Sequence, residues 1–90
     1  MATIHLLIKG KVQGVFYRAT AKEIAQALDI KGWVKNTKDG HVESIASGSE
    51  KAIQQFIEWC KNGPEKAVVT SINLTSIKDE TFADFRIIRG

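Results

Sequence analysis

Apolar residues recur at two different intervals along the chain, and these intervals predict its secondary structure. Between residues 3 and 11 every second residue is apolar, which predicts a strand with one buried face. From about residue 18 to residue 29 the interval changes to three and four, which is typical of a helix with one apolar stripe. The same interval returns after Ser49, a residue suited to cap a second helix, and Asn62-Gly63-Pro64 ends it.

The remaining apolar runs are rich in residues that favour strands. They extend from Trp33 to Thr37, from His41 to Ser47, from Val68 to Ile77 and from Phe82 to Ile88. Asp39-Gly40 predicts a hairpin between the first two runs, because both residue types tolerate the positive φ of primed turns. The predicted order is strand, helix, strand, strand, helix, strand, and the last run is a candidate fifth strand.

This order predicts the fold class. Neither helix can bury its apolar stripe alone, so both are expected to pack on one face of an antiparallel sheet. The result is an α+β fold, the ferredoxin-like two-layer sandwich. The chain has 90 residues, of which 43% are hydrophobic, so we expect residues 1–90 to form a single domain on which any active site would be shallow.

Cysteine content and hydropathy indicate a location. Cys60 is the single cysteine, so it has no partner for an internal disulfide, and its place on the second apolar stripe predicts a core position. No apolar run approaches the roughly 18 residues of a membrane span. We therefore expect a cytoplasmic protein that does not enter the membrane.

The charge is concentrated in the first part of the chain. The net charge is +3, and residues 1–38 carry seven Lys or Arg residues against two Asp or Glu residues. This asymmetry favours an anionic partner, either a small phosphate ligand or a nucleic-acid backbone. A solvated basic face without a ligand fits the charge equally well.

The segment from Gly10 to Arg18 joins the first strand to the first helix and is a candidate anion site. Gly14 permits backbone angles that turn successive N–H groups inward, toward a helix N-terminus whose dipole attracts anions. Arg18 at that helix start is electrostatically unfavourable unless an anion joins it. An ordinary glycine turn beside a surface arginine is the alternative. The segment lacks the Gly-Lys-Ser/Thr of a nucleotide-binding P-loop.

Two motifs in the sequence resemble those of the acylphosphatase family. Gly10-Lys11-Val12-Gln13-Gly14-Val15-Phe16-Tyr17-Arg18 is similar to the signature G-x-V-Q-G-V-x-x-R. Gly32-Trp33-Val34-Lys35-Asn36, followed by Gly40, Val42 and Gly48, is similar to the family's G-W-V-x-N-x-x-x-G-x-V-x-x-x-x-x-G. Tyr17 departs from the more usual phenylalanine, which should alter packing rather than phosphate binding.

The resemblance implies an enzyme that hydrolyses acyl phosphates to a carboxylate and inorganic phosphate. It implies that Arg18 binds the phosphate and that Asn36 orients the attacking water. The backbone of five residues would form the phosphate cradle: Gly14, Val15, Phe16, Tyr17 and Arg18. It further implies a monomer that needs no metal or cofactor and is inhibited by inorganic phosphate in competition with its small-molecule substrate. The cradle recognises the phosphate, and the sequence indicates no specificity pocket on the acyl side.

Two alternatives remain beside this hypothesis. RNA-binding modules share the predicted element order and the excess of basic over acidic residues. They bind RNA, however, by stacking bases on aromatic residues of the sheet face. Trp33 is the one aromatic residue beside the motifs that fits such a face, so we expect no nucleic-acid partner. A family member that binds an anion without catalysis is the other alternative. His5 and His41 lack an evident acidic partner and metal-ligand spacing, and both are expected to be structural or solvent-facing.

Overall fold

A computed structural model describes residues 1–89, which form a five-stranded sheet and two helices. In chain order these are β1 (Ala2–Lys11), α1 (Tyr17–Ala27), β2 (Lys31–Asn36), β3 (Val42–Gly48), α2 (Glu50–Asn62), β4 (Val68–Ser76) and β5 (Phe85–Ile88). The strands lie in the order β4-β1-β3-β2-β5. The ferredoxin-like α+β fold predicted from the sequence is confirmed, with both helices packed on one face of the sheet.

The sheet is mixed, because the fifth strand runs parallel to its neighbour. The pairs β1–β3, β1–β4 and β2–β3 are antiparallel, as expected, whereas β2 and β5 are parallel. After β4, the Ile77 N–H donates to the carbonyl of Thr3 at the end of the sheet where β2 begins. The chain crosses this end and enters β5 at Phe85, beside Gly32. Because β5 is entered from the end where β2 begins, the two strands run parallel. The predicted strand residues from Phe82 onward belong in part to the connection that crosses this end, so β5 begins only at Phe85.

The first helix ends at Ala27, earlier than the predicted residue 29, because Asp29 adopts a left-handed conformation with φ 57°. The Asp29 N–H donates to the carbonyl of Gln26 at 3.1 Å, and the Ile30 N–H donates to that of Ala25 at 2.8 Å. This is the hydrogen-bond pattern of a Schellman motif, in which glycine is the usual left-handed residue. Aspartate tolerates the same conformation, so the helix stops without a glycine.

The turn between β2 and β3 forms at the predicted position but is wider than a two-residue primed turn. The Thr37 N–H donates to the carbonyl of His41 at 2.9 Å, so three residues lie between the last paired positions. Within the described residues, the positive φ of this turn belongs to Gly40 alone, at 87°. A three-residue loop of this kind needs left-handed geometry at one position only, and Asp39 is not strained.

The core lies between the sheet and the two helices. Ile4, Leu6 and Ile8 of β1 point into it, as their alternation predicts. Phe56 and Cys60 of α2 meet them and are buried, which confirms the expected core position of the cysteine. Across residues 1–89, neither helix has the length and the hydropathy to cross a membrane.

Candidate active site

Two residues in left-handed conformations shape the loop between β1 and α1. Gly14 has φ 72° and is exposed, and a Cβ added there would meet no atom within 4 Å. Glycine is therefore suited to this position by its backbone angle rather than by lack of space. Phe16 has φ 64° and ψ 23° although it carries a large side chain. When residues in left-handed conformations alternate with residues in right-handed ones, their backbone N–H groups point toward one side, as in an anion-binding nest.

The N-terminus of α1 leaves backbone donors free to bind an anion. The Thr20 N–H donates to the carbonyl of Phe16 at 3.1 Å and closes the first turn. The N–H groups before Thr20 therefore have no carbonyl partner within the helix. The first turn contains no acidic residue, and Arg18 is its second member. The helix dipole and the guanidinium are both positive at this point, so an anion would relieve their mutual repulsion.

The opposite wall of the site comes from the end of β2 and is tied to the loop by Gln13. The side-chain amide Nε2 of Gln13 donates to the carbonyl oxygens of Thr37 at 2.9 Å and His41 at 2.8 Å. These two carbonyls flank the β2–β3 turn, and Asn36 directly precedes it. Gln13 therefore fixes the loop against the strand end that carries Asn36.

Loop, helix start and strand end enclose a cleft of about 300 Å³. The residues that line it are Val12, Gly14, Phe16, Tyr17, Arg18, Ala19, Asn36, Ile87 and Arg89. Arg18 and Asn36 thus lie on one cleft, together with three of the other residues expected in the cradle. Val15 is the exception: its side chain is buried at 7% exposure, and within residues 1–89 it is not among those lining the cleft.

Sequence reasoning missed the contribution of the chain end to this cleft. Ile87 belongs to β5 and Arg89 follows it, and both line the cleft opposite the loop. Neither residue belongs to a motif. Their position follows from the parallel pairing of β5 with β2, which sets Ile87 beside Val34, two residues before Asn36. The available signals were the last apolar run, which predicted a fifth strand, and the basic residue that follows it.

The side chain of Asn36 has an unused acceptor. Its Oδ1 atom is buried and has no hydrogen-bond partner among the described residues. Buried polar atoms are normally paired, so an orphaned acceptor on a cleft indicates a place for a water or a ligand. The Nδ1 atom of His41 is also buried without a described partner, but His41 is not part of the cleft lining.

Tyr17 forms the base of the site and is almost completely buried, with 2% exposure. Its ring lies 5.1 Å from that of Trp59, measured between centroids. Burial, with a smaller contribution from neighbouring Cys60, raises the pKa of the Tyr17 phenol far above its usual range. Burial also raises the pKa of the Cys60 thiol to about 12. Both groups are therefore neutral near pH 7, and the signature loop rests on an uncharged core.

The expectation that His5 lacks an acidic partner is wrong. Its Nε2 atom lies 2.6 Å from Oε2 of Glu43 on the face of the sheet opposite the helices. The two residues are diagonal neighbours on β1 and β3, a relationship that depends on strand register and is not evident from sequence spacing. Within residues 1–89 no three His, Cys, Asp or Glu side chains come together as a metal site.

Comparison with known proteins agrees with the motifs and with the fold. The family model described as Acylphosphatase matches residues 4–87. An acylphosphatase of Marinobacter nauticus is 45% identical over 83 residues, which cover 91% of this chain and 90% of that protein.

Two solved structures are similar over nearly their full length. The structure of an acylphosphatase from Coxiella burnetii has a TM-score of 0.93 and 40% identity over 97% of this chain and 92% of that one. The crystal structure of acylphosphatase from Bacillus subtilis has a TM-score of 0.95 and 38% identity over 99% of this chain and all of that one. With sequence motifs, family model and fold in agreement, the chain belongs to the acylphosphatase family.

Proposed function

We propose that this acylphosphatase binds the phosphoryl group of an acyl phosphate through Arg18 and the backbone of Gly14 to Arg18, and that Asn36 orients the attacking water. The observation that carries the proposal is that Arg18 and Asn36, which come from a helix start and a strand end, line one cleft. The unpaired helix N–H groups and the guanidinium supply donors for several phosphoryl oxygens.

The orphaned Oδ1 of Asn36 supports its role. A carboxamide oxygen accepts a hydrogen bond from water without competing as a nucleophile, and Oδ1 of Asn36 has no other hydrogen-bond partner among the described residues. The oxygen of that water attacks phosphorus, and the bond between phosphorus and the acyl oxygen breaks. The carboxylate leaves with the electron pair of that bond, and the proton released by the water passes to a phosphoryl oxygen.

This reaction places few demands on the protein. A carboxylate is a good leaving group that needs no proton, so a general acid is not required. Positioning of water and substrate, with stabilisation of the phosphoryl charge, is sufficient. The cleft offers this chemistry: its described lining includes two arginines and an amide but no carboxylate.

The experiment that tests the proposal is hydrolysis of benzoyl phosphate by the purified protein, with and without a chelator. We expect turnover that is insensitive to the chelator. Arg18→Gln and Asn36→Ala should each lower kcat/KM by about 100-fold to 1000-fold, the usual effect of losing an oriented donor in an active site. Arg18→Gln should also abolish inhibition by inorganic phosphate.

Matched controls are available at exposed positions. Arg86→Gln removes an arginine that binds Asp84 at the surface, and Asn62→Ala removes an asparagine at the end of α2. Both should keep turnover within about twofold of the unsubstituted protein, since surface substitutions rarely have larger effects. Near-normal turnover of either cleft variant would refute the role proposed for that residue.

We also propose that the protein is cytoplasmic and monomeric. The single cysteine is buried and unpaired, which suits a reducing cytoplasm. One core joins the sheet to both helices, so we propose that residues 1–90 act as a single, monomeric domain. Sedimentation velocity at two concentrations tests the monomer, and competition assays with inorganic phosphate test product inhibition.

We propose no nucleic-acid partner. On the face of the sheet opposite the helices, Trp33 is the only Phe, Tyr or Trp of the strands in residues 1–89, and Nζ of Lys35 lies 5.2 Å from its ring centroid. RNA-recognition sheets stack two or three bases on several aromatic rings. Binding of single-stranded RNA that weakens with salt and is unaffected by inorganic phosphate would contradict this proposal.

A further inference from the structure

Phe16 combines three properties that core packing does not explain. Its side chain is 80% exposed, and its backbone is left-handed. It also occupies the N-cap of α1 without a side-chain cap hydrogen bond, at a position where small polar residues are usual. Glycine or asparagine suits this conformation far better than a large L-residue. A residue with this exposure is not held by core packing, yet it lines the cleft.

The cleft has a polar part and an apolar part. Arg18, Asn36 and the backbone of Gly14 form the polar part, while Phe16 and Ile87 contribute apolar surface from the loop and from β5. An acyl phosphate has the same division, because an anionic phosphoryl group is joined to a carbon-based acyl group. When the phosphoryl group binds the polar part, the acyl group extends along the apolar surface.

We infer that Phe16, together with Ile87, binds the acyl group and makes the enzyme selective for aryl acyl phosphates over small aliphatic ones. The inference rests on the proposed function, since it takes the phosphoryl group to be held at Arg18. It also revises the expectation that the acyl side has no specificity pocket. An exposed aromatic ring offers a second ring an offset or edge contact that a methyl group cannot use fully.

The selectivity should appear in KM rather than in kcat. Contacts to the acyl group are remote from the phosphorus and are made equally in the bound substrate and in the transition state. Such uniform binding lowers KM and leaves the chemical step unchanged. Aromatic pairs contribute about 2-fold to 10-fold in binding beyond the effect of burying the area itself.

The test compares kcat/KM for benzoyl phosphate and acetyl phosphate in the unsubstituted protein, in Phe16→Gly and in Phe16→Leu. Acetyl phosphate serves as the internal reference, because it presents the same phosphoryl group. We expect the ratio of the two values to fall about 2-fold to 10-fold in Phe16→Gly and to fall less in Phe16→Leu, which retains apolar surface. The fall should arise from a higher KM for benzoyl phosphate.

Leu74→Ala is the matched control, because it removes an exposed apolar side chain of β4 and should leave the ratio unchanged. Thermal unfolding provides a second readout. Phe16→Gly should keep or raise Tm, since glycine accepts φ 64° and the lost ring is exposed. If Phe16→Gly does not fold, the ring has a structural role and the inference is overturned. An unchanged ratio in the folded variant also overturns it, whereas failure of the unsubstituted protein to hydrolyse either substrate would refute the proposed function.

Discussion

The hydroxyl of Tyr17 donates a hydrogen bond to the backbone carbonyl of Cys60 across 2.7 Å and so joins the first turn of α1 to the last turn of α2. The helical partner of this carbonyl would be the N–H of residue 64, but residue 64 is proline and has no N–H. The preceding N–H, that of Gly63, donates to the carbonyl of Trp59, four residues earlier, and so does not reach the carbonyl of Cys60. Tyr17 therefore satisfies a carbonyl that the sequence of α2 leaves without a partner.

We expect Tyr17→Phe to lower the free energy of unfolding by about 1 to 3 kcal/mol, because the variant leaves a buried carbonyl oxygen without a donor. Urea denaturation at pH 7 measures this difference. Thr75→Val is the control, since it removes an exposed hydroxyl from β4 and should change the stability by less than about 0.5 kcal/mol. Equal stability of Tyr17→Phe and the unsubstituted protein would show that the hydrogen bond contributes nothing net.

The buried Cys60 thiol predicts a loss of stability at alkaline pH. Its pKa is about 12 in the folded protein, against about 8.5 in an unfolded chain. The folded state therefore keeps a proton that the unfolded state releases, so stability is full below pH 8.5 and falls as the pH rises toward 12. From pH 8.5 to pH 9.5 the free energy of unfolding should fall by about 1 kcal/mol from this group alone.

Urea denaturation at these two pH values tests the effect. Cys60→Ala should be less stable throughout, because it leaves a cavity, but it should lose about 1 kcal/mol less across the same interval. The Tyr17 phenol, whose pKa burial also raises, adds a further loss only above about pH 10. An equal decline in both proteins would assign the alkaline loss to other groups.

The sequence predicts the elements and most of the cleft, because these depend on local periodicity and on motif residues. The strand alternation of Ile4, Leu6 and Ile8 and the cap at Ser49 are confirmed, the latter by an Ala52 N–H that donates to the serine hydroxyl at 3.1 Å. The placement of Arg18 and Asn36 on one cleft agrees with what the resemblance to the family implies. The strand alternation and the helix cap are encoded within short segments.

The features that the sequence did not predict depend on contacts between distant segments. The pairing of His5 with Glu43 is set by strand register, and the approach of Arg89 to the cleft is set by the crossing connection before β5. The left-handed backbone of Phe16 contradicts its residue type, so propensity argues against it. Such local conflicts are expected at functional sites.

Gly32 should tolerate alanine poorly. An added Cβ would lie 1.9 Å from the carbonyl oxygen of Ile45 on the neighbouring strand, and the backbone has φ 142°. We expect Gly32→Ala to lose about 3 kcal/mol or more, because β2 and β3 must separate. Gly40→Ala is the control: φ is 87° there, but no atom lies within 4 Å, so the loss should be about 1 to 2 kcal/mol. Urea midpoints compare the two, and similar losses would exclude the clash as the cause.

Arg89 should assist substrate binding, because it is the second cation on the cleft. We expect Arg89→Gln to raise KM for benzoyl phosphate about 3-fold to 10-fold with a smaller change in kcat, the effect of weakening one solvent-screened contact to an anion. The increase in KM should shrink at high ionic strength. Arg86→Gln, at an exposed arginine of β5, should change neither constant. If both variants raise KM equally, the effect comes from net charge rather than from the cleft.

Gln13 should act as a positioning residue for Asn36, since its amide donates to the carbonyls of Thr37 and His41 on either side of the turn that follows Asn36. Gln13→Glu keeps the shape but replaces the donor with a carboxylate that faces two carbonyl oxygens. The strand end that carries Asn36 should then move away from the loop, and kcat should fall about 10-fold to 100-fold, because water positioning is sensitive to displacements near 1 Å.

The outcome distinguishes positioning from a general loss of fold. KM should change less than kcat, since Arg18 and the helix N-terminus stay in place. Lowering the pH toward about 4.3 protonates the introduced carboxyl and restores one donor, so Gln13→Glu should recover activity relative to Gln13→Ala as the pH falls. Gln55→Glu, on the exposed side of α2, controls for the added charge. A parallel pH dependence of Gln13→Glu and Gln13→Ala would contradict the positioning role, because only the carboxyl can regain a proton to donate.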